Sequence, residues 1–581
     1  MRYFKTGGLA ALLALSAAPA ALAAAPQLAV TLKPAAAEGV GPNGEGIVPF
    51  VDVTVEIPDV AVEAGAPLLR LPLVANNVKS VADTLTDLTA RDAAGPVALT
   101  AKDDADRPAM AYRHWTAARA VKGALTVRYR APNTTLANPR GAAPPLELRT
   151  DGGGFSGAAE TFLILPEADA KYGLALRWDL SAAGPGAAGV SNFGTGDVTS
   201  SGPLSADDLG ATYVMGGAIH RYPEAPPKQG FFSAWQGSPP FDGRELMRWT
   251  ESLYHHYLGY FKAVGTPPYG VFLRPNLVNA GGGVELNGAF IGTFDQKTDV
   301  KDFKFTLAHE MVHTFVRSLD ASKEDGPQGL ASSWFSEGIA VYYQNRLPLR
   351  AGMITGDEFL RDLNTTAARY YTNALNGTPN SAIPDRFWAD TRIRVLPYDR
   401  GALYFALVDG EVRKASHGKR SLDDLILAML DRRRHGRPMD HAAWVEIITH
   451  ELGPRGKLEL DAMLNGALVL PDDDAFGPCF TRTTAPLRRY QLGFDPEVLI
   501  QPKRIVHGLI PGSAAADAGL RDGDEIVKPV PQDMIQGNQQ ATLTLQIRRD
   551  SQVFPITYLP RGETVQAYQW ARRPDAPANC R

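Results

Sequence analysis

The chain has 581 residues, 44% of them apolar and 21% charged, with a formal net charge of -4. That length exceeds what one hydrophobic core spans, so three or four domains are expected. The charge balance, with no strong basic block, argues against nucleic acid as a partner, and the apolar content is that of ordinary globular domains.

The N-terminus reads as a targeting segment. Arg2 and Lys5 precede an apolar run from Gly7 to Ala18, and Ala21-Leu22-Ala23 and Ala23-Ala24-Ala25 are small-x-small cleavage sites. Residues 1–25 are therefore assigned to a signal peptide, with the mature chain starting near Ala24 or Pro26. The run is short for a membrane span, no cysteine follows it for lipidation, and no later stretch reads as transmembrane. The expected compartment is periplasmic or extracellular.

Residues 26–225 are expected to form a β-rich domain, a sandwich or two small sheets. Short alternating runs such as VPFVDVTVEI, LLRLPLV and GALTVRYRA are separated by Gly, Pro, Asn and Asp. The GGGFSG run at 152–157 lacks the helix and Lys-Ser/Thr of a phosphate loop and reads as a turn.

From Phe231 the texture changes, and 226–475 is expected to be a second, mixed domain. Asp242 to Phe261 has helical periodicity. His255 and His256 lie on it, and adjacent residues diverge on a helix, so they cannot share an ion. A strand is expected from Tyr269. Gly281, Gly282 and Gly283 then turn into an edge strand that carries Glu285, where unpaired backbone groups can hold an extended peptide.

His309, Glu310 and His313 form an H-E-x-x-H string, and Phe305, Ala308, Val312, Phe315, Val316 and Leu319 recur at helical spacing behind it, with Asp299 or Asp302 as the cap. Residues four apart share a helix face, so the two histidines can grip one ion while Glu310 stands beside it as a base for water. The string by itself also fits an amphipathic helix with two satisfied histidines. Glu337, in S-E-G on a second helix, is the candidate third ligand.

Residues 350–470 read as helix-rich, with helices from Gly356 to Tyr371, from Gly401 to Lys414, and over SLDDLILAMLDRRR and MDHAAWVEIITHEL. Pro397-Tyr398-Asp399-Arg400-Gly401 opens one of them, and a Tyr398 that faces the ion can donate its O–H to an oxyanion. His450-Glu451 is followed by Gly453-Pro454, which breaks the helix where a second histidine would stand. Pro471-Asp-Asp-Asp-Ala is a linker, and 485–565 is a small β-rich module containing YQLGF at 490–494. The two cysteines, Cys479 and Cys580, form a candidate disulfide, which would close a loop of about a hundred residues and contribute ~4–5 kcal/mol.

These residues have a family likeness. His309-Glu310-x-x-His313 with Glu337-Gly338 and Tyr342-Tyr343 resembles the gluzincin metallopeptidases, and the layout resembles the glycyl aminopeptidase family. Gly282-Gly283-Val284-Glu285 is similar to that family's G-G-x-E strand, and Tyr398-Asp399-Arg400-Gly401 to its Y-x-K-G helix start. Gly512 to Asp524 is similar to bacterial PDZ domains, and YQLGF to their carboxylate loop. The resemblance implies a multidomain α+β protein: a β-rich N-terminal domain, a thermolysin-like catalytic domain with a helical portion, and a C-terminal PDZ domain. It implies one Zn²⁺ held by His309, His313 and Glu337, Glu310 as general base and acid, and Tyr398 as oxyanion donor. It gives Glu285, with Gly282 and Gly283, a substrate-binding role at the α-amine, and Leu492, Gly493 and Phe494 the capture of a peptide C-terminus. The chain departs from the family's aromatic second position and its W-N-V-K-like continuation after H-E-x-x-H, where the run here is Glu-Met-Val-His-Thr-Phe-Val-Arg, and Leu286 stands where the family has His. Both changes touch the pocket wall.

The expected function is zinc-dependent hydrolysis of peptides or proteins from the N-terminus. Two rival readings stand beside it: an endopeptidase on the same scaffold, and a PDZ-based peptide-binding or quality-control factor with little peptidase activity.

Overall fold

The structure is a computed structural model and describes residues 25–40, 46–76, 78–105, 110–136, 144–168, 170–225, 229–276, 280–319, 327–528, 530 and 532–577. Apart from Ala25, the expected signal segment lies outside the described residues.

The N-terminal third holds three β-sheets, where the sequence pattern suggested a sandwich or two small sheets. Alternation explains the largest, a seven-stranded sheet. In strand Phe50–Val62, Val51, Val53, Val55 and Ile57 are buried. They stand opposite Ala131, Tyr129, Val127 and Leu125 of strand Val121–Pro132. A second sheet, built on Pro67–Ala75 and Met110–Ala117, contributes Leu69, Leu71 and Trp115 to the same core. The glycines at 152 and 153 turn with positive φ into strand Gly154–Ala158 of the third sheet, as the turn reading expects.

A five-stranded mixed sheet carries the site. Its order is His220–Tyr222, Phe231–Trp235, Tyr269–Pro275, Ala289–Phe294 and, at the edge, Gly283–Leu286. The three central strands are buried throughout and mostly apolar because both faces are covered. Phe232, Ala234, Phe272, Ala289 and Ile291 pack on Tyr213, Met215, Ala158 and Val190 of the third N-terminal sheet. Phe231, Tyr269, Val271, Leu273, Phe290 and Phe294 face the helices. Arg274, fully buried, crosses to the N-terminal sheet, where its guanidinium meets the Glu147 carboxylate at 2.7 Å and the Glu147 carbonyl at 3.0 Å.

The helices follow the sequence periodicity closely. Gly243–Tyr260 is capped by Asp242, Val300–Phe315 by Asp299, and Gly356–Tyr371 by a Thr355/Glu358 capping box. Ser336–Arg350 and Leu396–Ala415 complete the core of the bundle. Leu396–Ala415 begins ahead of Gly401 and takes in Pro397, which suits a helix's first turn, in keeping with the helix opening read at Pro397–Gly401. Among the described residues no helix is long and apolar enough to cross a membrane.

After the bundle, strands Phe480–Tyr490 and Arg561–Arg572 form an antiparallel ribbon. Asn364 fastens it by accepting from the Trp570 N–H and donating to the Trp570 carbonyl, both at 2.8 Å. Between the ribbon strands lies a small β module with strands Glu525–Ile526, Leu543–Arg549 and Gln552–Tyr558 and a core of its own. Cys479 is disulfide-bonded; Cys580, the only other cysteine in the chain, lies outside the described residues.

Candidate metal centre

His309 and His313 lie one turn apart on the inward face of helix Val300–Phe315, and Glu337 projects from the first turn of Ser336–Arg350. The three side chains converge. His309 Nε2 is 3.2 Å from Glu337 Oε2 and 3.3 Å from His313 Nε2, and His313 Nε2 is 3.5 Å from Glu337 Oε2. Ligand atoms about 2.0–2.1 Å from a tetrahedral zinc are separated by about 3.3–3.4 Å, so the triangle fits such an ion. Among the described residues, this trio is the only cluster of three or more His, Cys, Asp or Glu side chains with that convergence.

A hydrogen-bond chain fixes the first ligand. His309 Nδ1 is 3.0 Å from Gln344 Oε1, so the ring donates there and Nε2 keeps its lone pair for a metal. Gln344 in turn donates to Asp362 at 2.9 Å, and Asn345 donates to the same carboxylate at 2.8 Å. Sequence reading missed this chain. Gln344 is seven residues beyond Glu337, two turns along one helix face, and that spacing was its available signal. Asp362 belongs to another helix and had none.

The ligands are electrostatically coupled to one another. Burial opposes charge on His313, yet Glu337, with Glu285 and Glu310 behind it, pushes its pKa up to about 10. Burial also raises Glu337, but His313 and His309 outweigh it and hold the carboxylate well below its usual range. Burial raises Glu310, against the pull of both histidines. A cation at the apex of the triangle would take the place of the charge that Glu337, Glu285 and Glu310 otherwise draw onto His313.

Glu285 and Tyr398 close the site from two sides. Glu285 is half-buried on the edge strand, and burial lifts its pKa to about 7 while His313 pulls it down and Glu310 pushes it up. The strand is folded back by Asn287-Gly288, a pair suited to a tight hairpin, so that Glu285 stands opposite Phe290 on the helix-facing side of the sheet. Gly283 has to be glycine, because a β-carbon there would overlap the Ile291 carbonyl and the Phe290 ring. Gly282, next to it, accepts from Thr293 at 2.9 Å through its carbonyl. The ring of Tyr398 stacks on His309, with centroids 5.9 Å apart and planes 18° apart. What brings Tyr398 there is a close helix crossing: a β-carbon on Gly338 would lie 2.6 Å from the Gly401 backbone.

Other residues singled out in the sequence lie elsewhere. Tyr342 and Tyr343 donate to Asp409 at 2.6 Å and Asp423 at 2.9 Å, in the helical core. His256 packs on Tyr260, and burial lowers its pKa. Leu492, Gly493 and Phe494 line a separate pocket beside the C-terminal module.

Residues 302–383 match the model of the M61 glycyl aminopeptidase family. The chain is similar to that family over this one segment. That segment includes His309, Glu310, His313, Glu337, Gln344 and Asp362, and it excludes Glu285 and Tyr398. An aminopeptidase N family protein from Idiomarina loihiensis shares the fold, with a TM-score of 0.63 at 15% identity over 94% of this chain and 99% of that one. An M1 zinc metallopeptidase from Deinococcus radiodurans aligns with a TM-score of 0.43 at 16% identity, over 77% of this chain and 94% of that one. Yeast LTA4 hydrolase aligns with a TM-score of 0.42 at 12% identity, over 77% of this chain and 68% of that one. No curated protein matches the chain in sequence.

Proposed function

We propose that the chain is a zinc aminopeptidase, with one ion held by His309, His313 and Glu337. The observation that carries this reading is the ligand triangle, with edges of 3.2, 3.3 and 3.5 Å, beside a half-buried Glu310 within the segment that matches the M61 model. When bound, zinc supplies a Lewis acid and makes water acidic near neutral pH. Glu310, raised by burial, takes the proton of the attacking water and delivers it to the leaving amine. Tyr398 donates its hydroxyl to the oxyanion as the carbonyl becomes tetrahedral. The peptide lies as an added strand along Gly283–Leu286, and Glu285 pairs with its α-ammonium, so that cleavage falls one residue from the end.

The C-terminal module is read as PDZ-like, with Leu492, Gly493 and Phe494 as its loop for a peptide C-terminus. A periplasmic or extracellular location fits the N-terminal segment and the disulfide at Cys479. The test is a set of amino-acid amides against N-acetylated peptides, with and without chelator. The aminopeptidase reading expects chelator-sensitive hydrolysis of free-amine substrates and loss of at least a hundredfold in kcat/KM on acetylation. Equal cleavage of both would make the chain an endopeptidase and remove Glu285 from amine binding.

A further inference from the structure

The C-terminal module and the catalytic body share a pocket of about 210 Å³. On the module side it is lined by Leu492, Gly493, Phe494 and Ile510, and on the catalytic side by Asp390 and Arg392. Gly493 turns with φ +94°, and the N–H groups of residues 492–494 donate to no protein carbonyl or side chain among the described residues. Successive N–H groups at such a turn form an anion-binding concavity. The Arg392 guanidinium adds to it. Asp390 takes its Nε at 3.0 Å and its Nη2 at 2.8 Å, while Nη1 makes no hydrogen bond among the described residues. Ile510, 43% exposed, supplies an apolar wall.

This pocket is wired to the catalytic helix. Asp390 caps the short helix Thr391–Arg394 by accepting from the Arg392 N–H at 3.0 Å. Val395 ends that helix and begins Leu396–Ala415, and its carbonyl accepts from the Asp399 N–H at 3.0 Å. Tyr398, stacked on His309, therefore lies six residues beyond Arg392 with no loop between them. Across the pocket, Gln536 of the module donates to the Thr391 hydroxyl at 2.7 Å, in a buried contact.

We propose that this pocket is a composite regulatory site for the C-terminal carboxylate of a peptide ending in an apolar residue, and that its occupancy sets the position of Tyr398. The proposal rests on the peptidase and module readings given above. A carboxylate on the loop N–H groups takes Nη1 of Arg392 and shares the guanidinium charge with Asp390, which holds Nε and Nη2. Asp390 is the cap of the helix that leads into Tyr398, so weakening its pairing moves the start of the catalytic helix relative to His309. The site thus joins substrate-end recognition on the module to oxyanion stabilisation in the cleft.

The experiment uses the zinc-loaded full chain and two probes, N-acetyl-Ala-Ala-Leu with a free carboxylate and the same tripeptide as its C-terminal amide. Calorimetry reads binding. Amide hydrogen exchange over 391–400 reads the coupling without catalysis, and kcat on an alanine anilide reads the consequence. The free acid is expected to bind at least tenfold tighter than the amide, to alter exchange over 391–400, and to change kcat threefold or more. Ile510→Glu, at an exposed position, is expected to weaken acid binding at least tenfold and to remove the exchange response; Arg392→Gln should do the same. Equal binding of acid and amide, binding without change in exchange, or an unaltered response in Ile510→Glu overturns the proposal. A chain that shows the exchange response but hydrolyses no amide contradicts the peptidase reading instead.

Discussion

Gln344 links the metal ligands to the rest of the protein. It accepts from His309 and donates to Asp362, so it sets both the tautomer and the tilt of the first ligand. Gln344→Ala leaves His309 Nδ1 without its acceptor, and zinc affinity is expected to fall about 10–100-fold, measured by competition with a chromophoric chelator. The protein's circular dichroism should stay unchanged. At this scale the sequence was legible where chemistry and helical period coincide: His309, Glu310 and His313 are read from spacing alone, and Glu337 from its place on the next helix. Asp362 was not legible, because it reaches Gln344 through a contact between two helices, and helical period says which face a residue is on but not what lies opposite.

The glycines at 338 and 401 make the same point for whole helices. Both are buried where two helices touch backbone to backbone, and neither has positive φ. In an open helix, Gly338→Ala would stabilise by roughly 1 kcal/mol. Here the added carbon would lie 2.6 Å from Gly401, so the change is expected to destabilise by about 1–3 kcal/mol, read as a lower denaturant midpoint. It should also lower kcat, because the helix that has to shift carries Tyr398. Stabilisation by Gly338→Ala would show that the two helices do not approach this closely. The elements themselves were largely visible in the sequence, including the helix from Asp242, a cap at Asp299 or Asp302, and the edge strand with Glu285. Their pairing was not, since Gly338 and Gly401 read as ordinary helical glycines until the crossing is seen.

For the whole molecule, the mixed sheet joins the β-rich third to the bundle. Its outer face rests on the third N-terminal sheet, and Arg274 carries a charged contact across that layer. Arg274→Ala leaves Glu147 with only the Arg149 guanidinium, 3.9 Å away, and a loss of up to about 3–5 kcal/mol is expected in equilibrium unfolding. Replacing both partners by apolar residues of similar volume should restore most of it; no recovery would mean that the pair is not what matters there. The alternating strands of the N-terminal third were readable, but their division into three sheets was not, because it depends on register and on which faces stack. Glu147 lies 127 residues before Arg274, a separation at which sequence pattern carries no pairing information.

The central claim is that Glu310 moves the proton beside an ion held by His309, His313 and Glu337. The measurement that tests it is zinc content together with kcat on an amino-acid amide for Glu310→Gln. The account predicts one zinc per chain, as in the unaltered protein, and a fall in kcat of about 10²–10⁴-fold. A Glu310→Gln protein that holds its zinc and turns over at the original rate would contradict it.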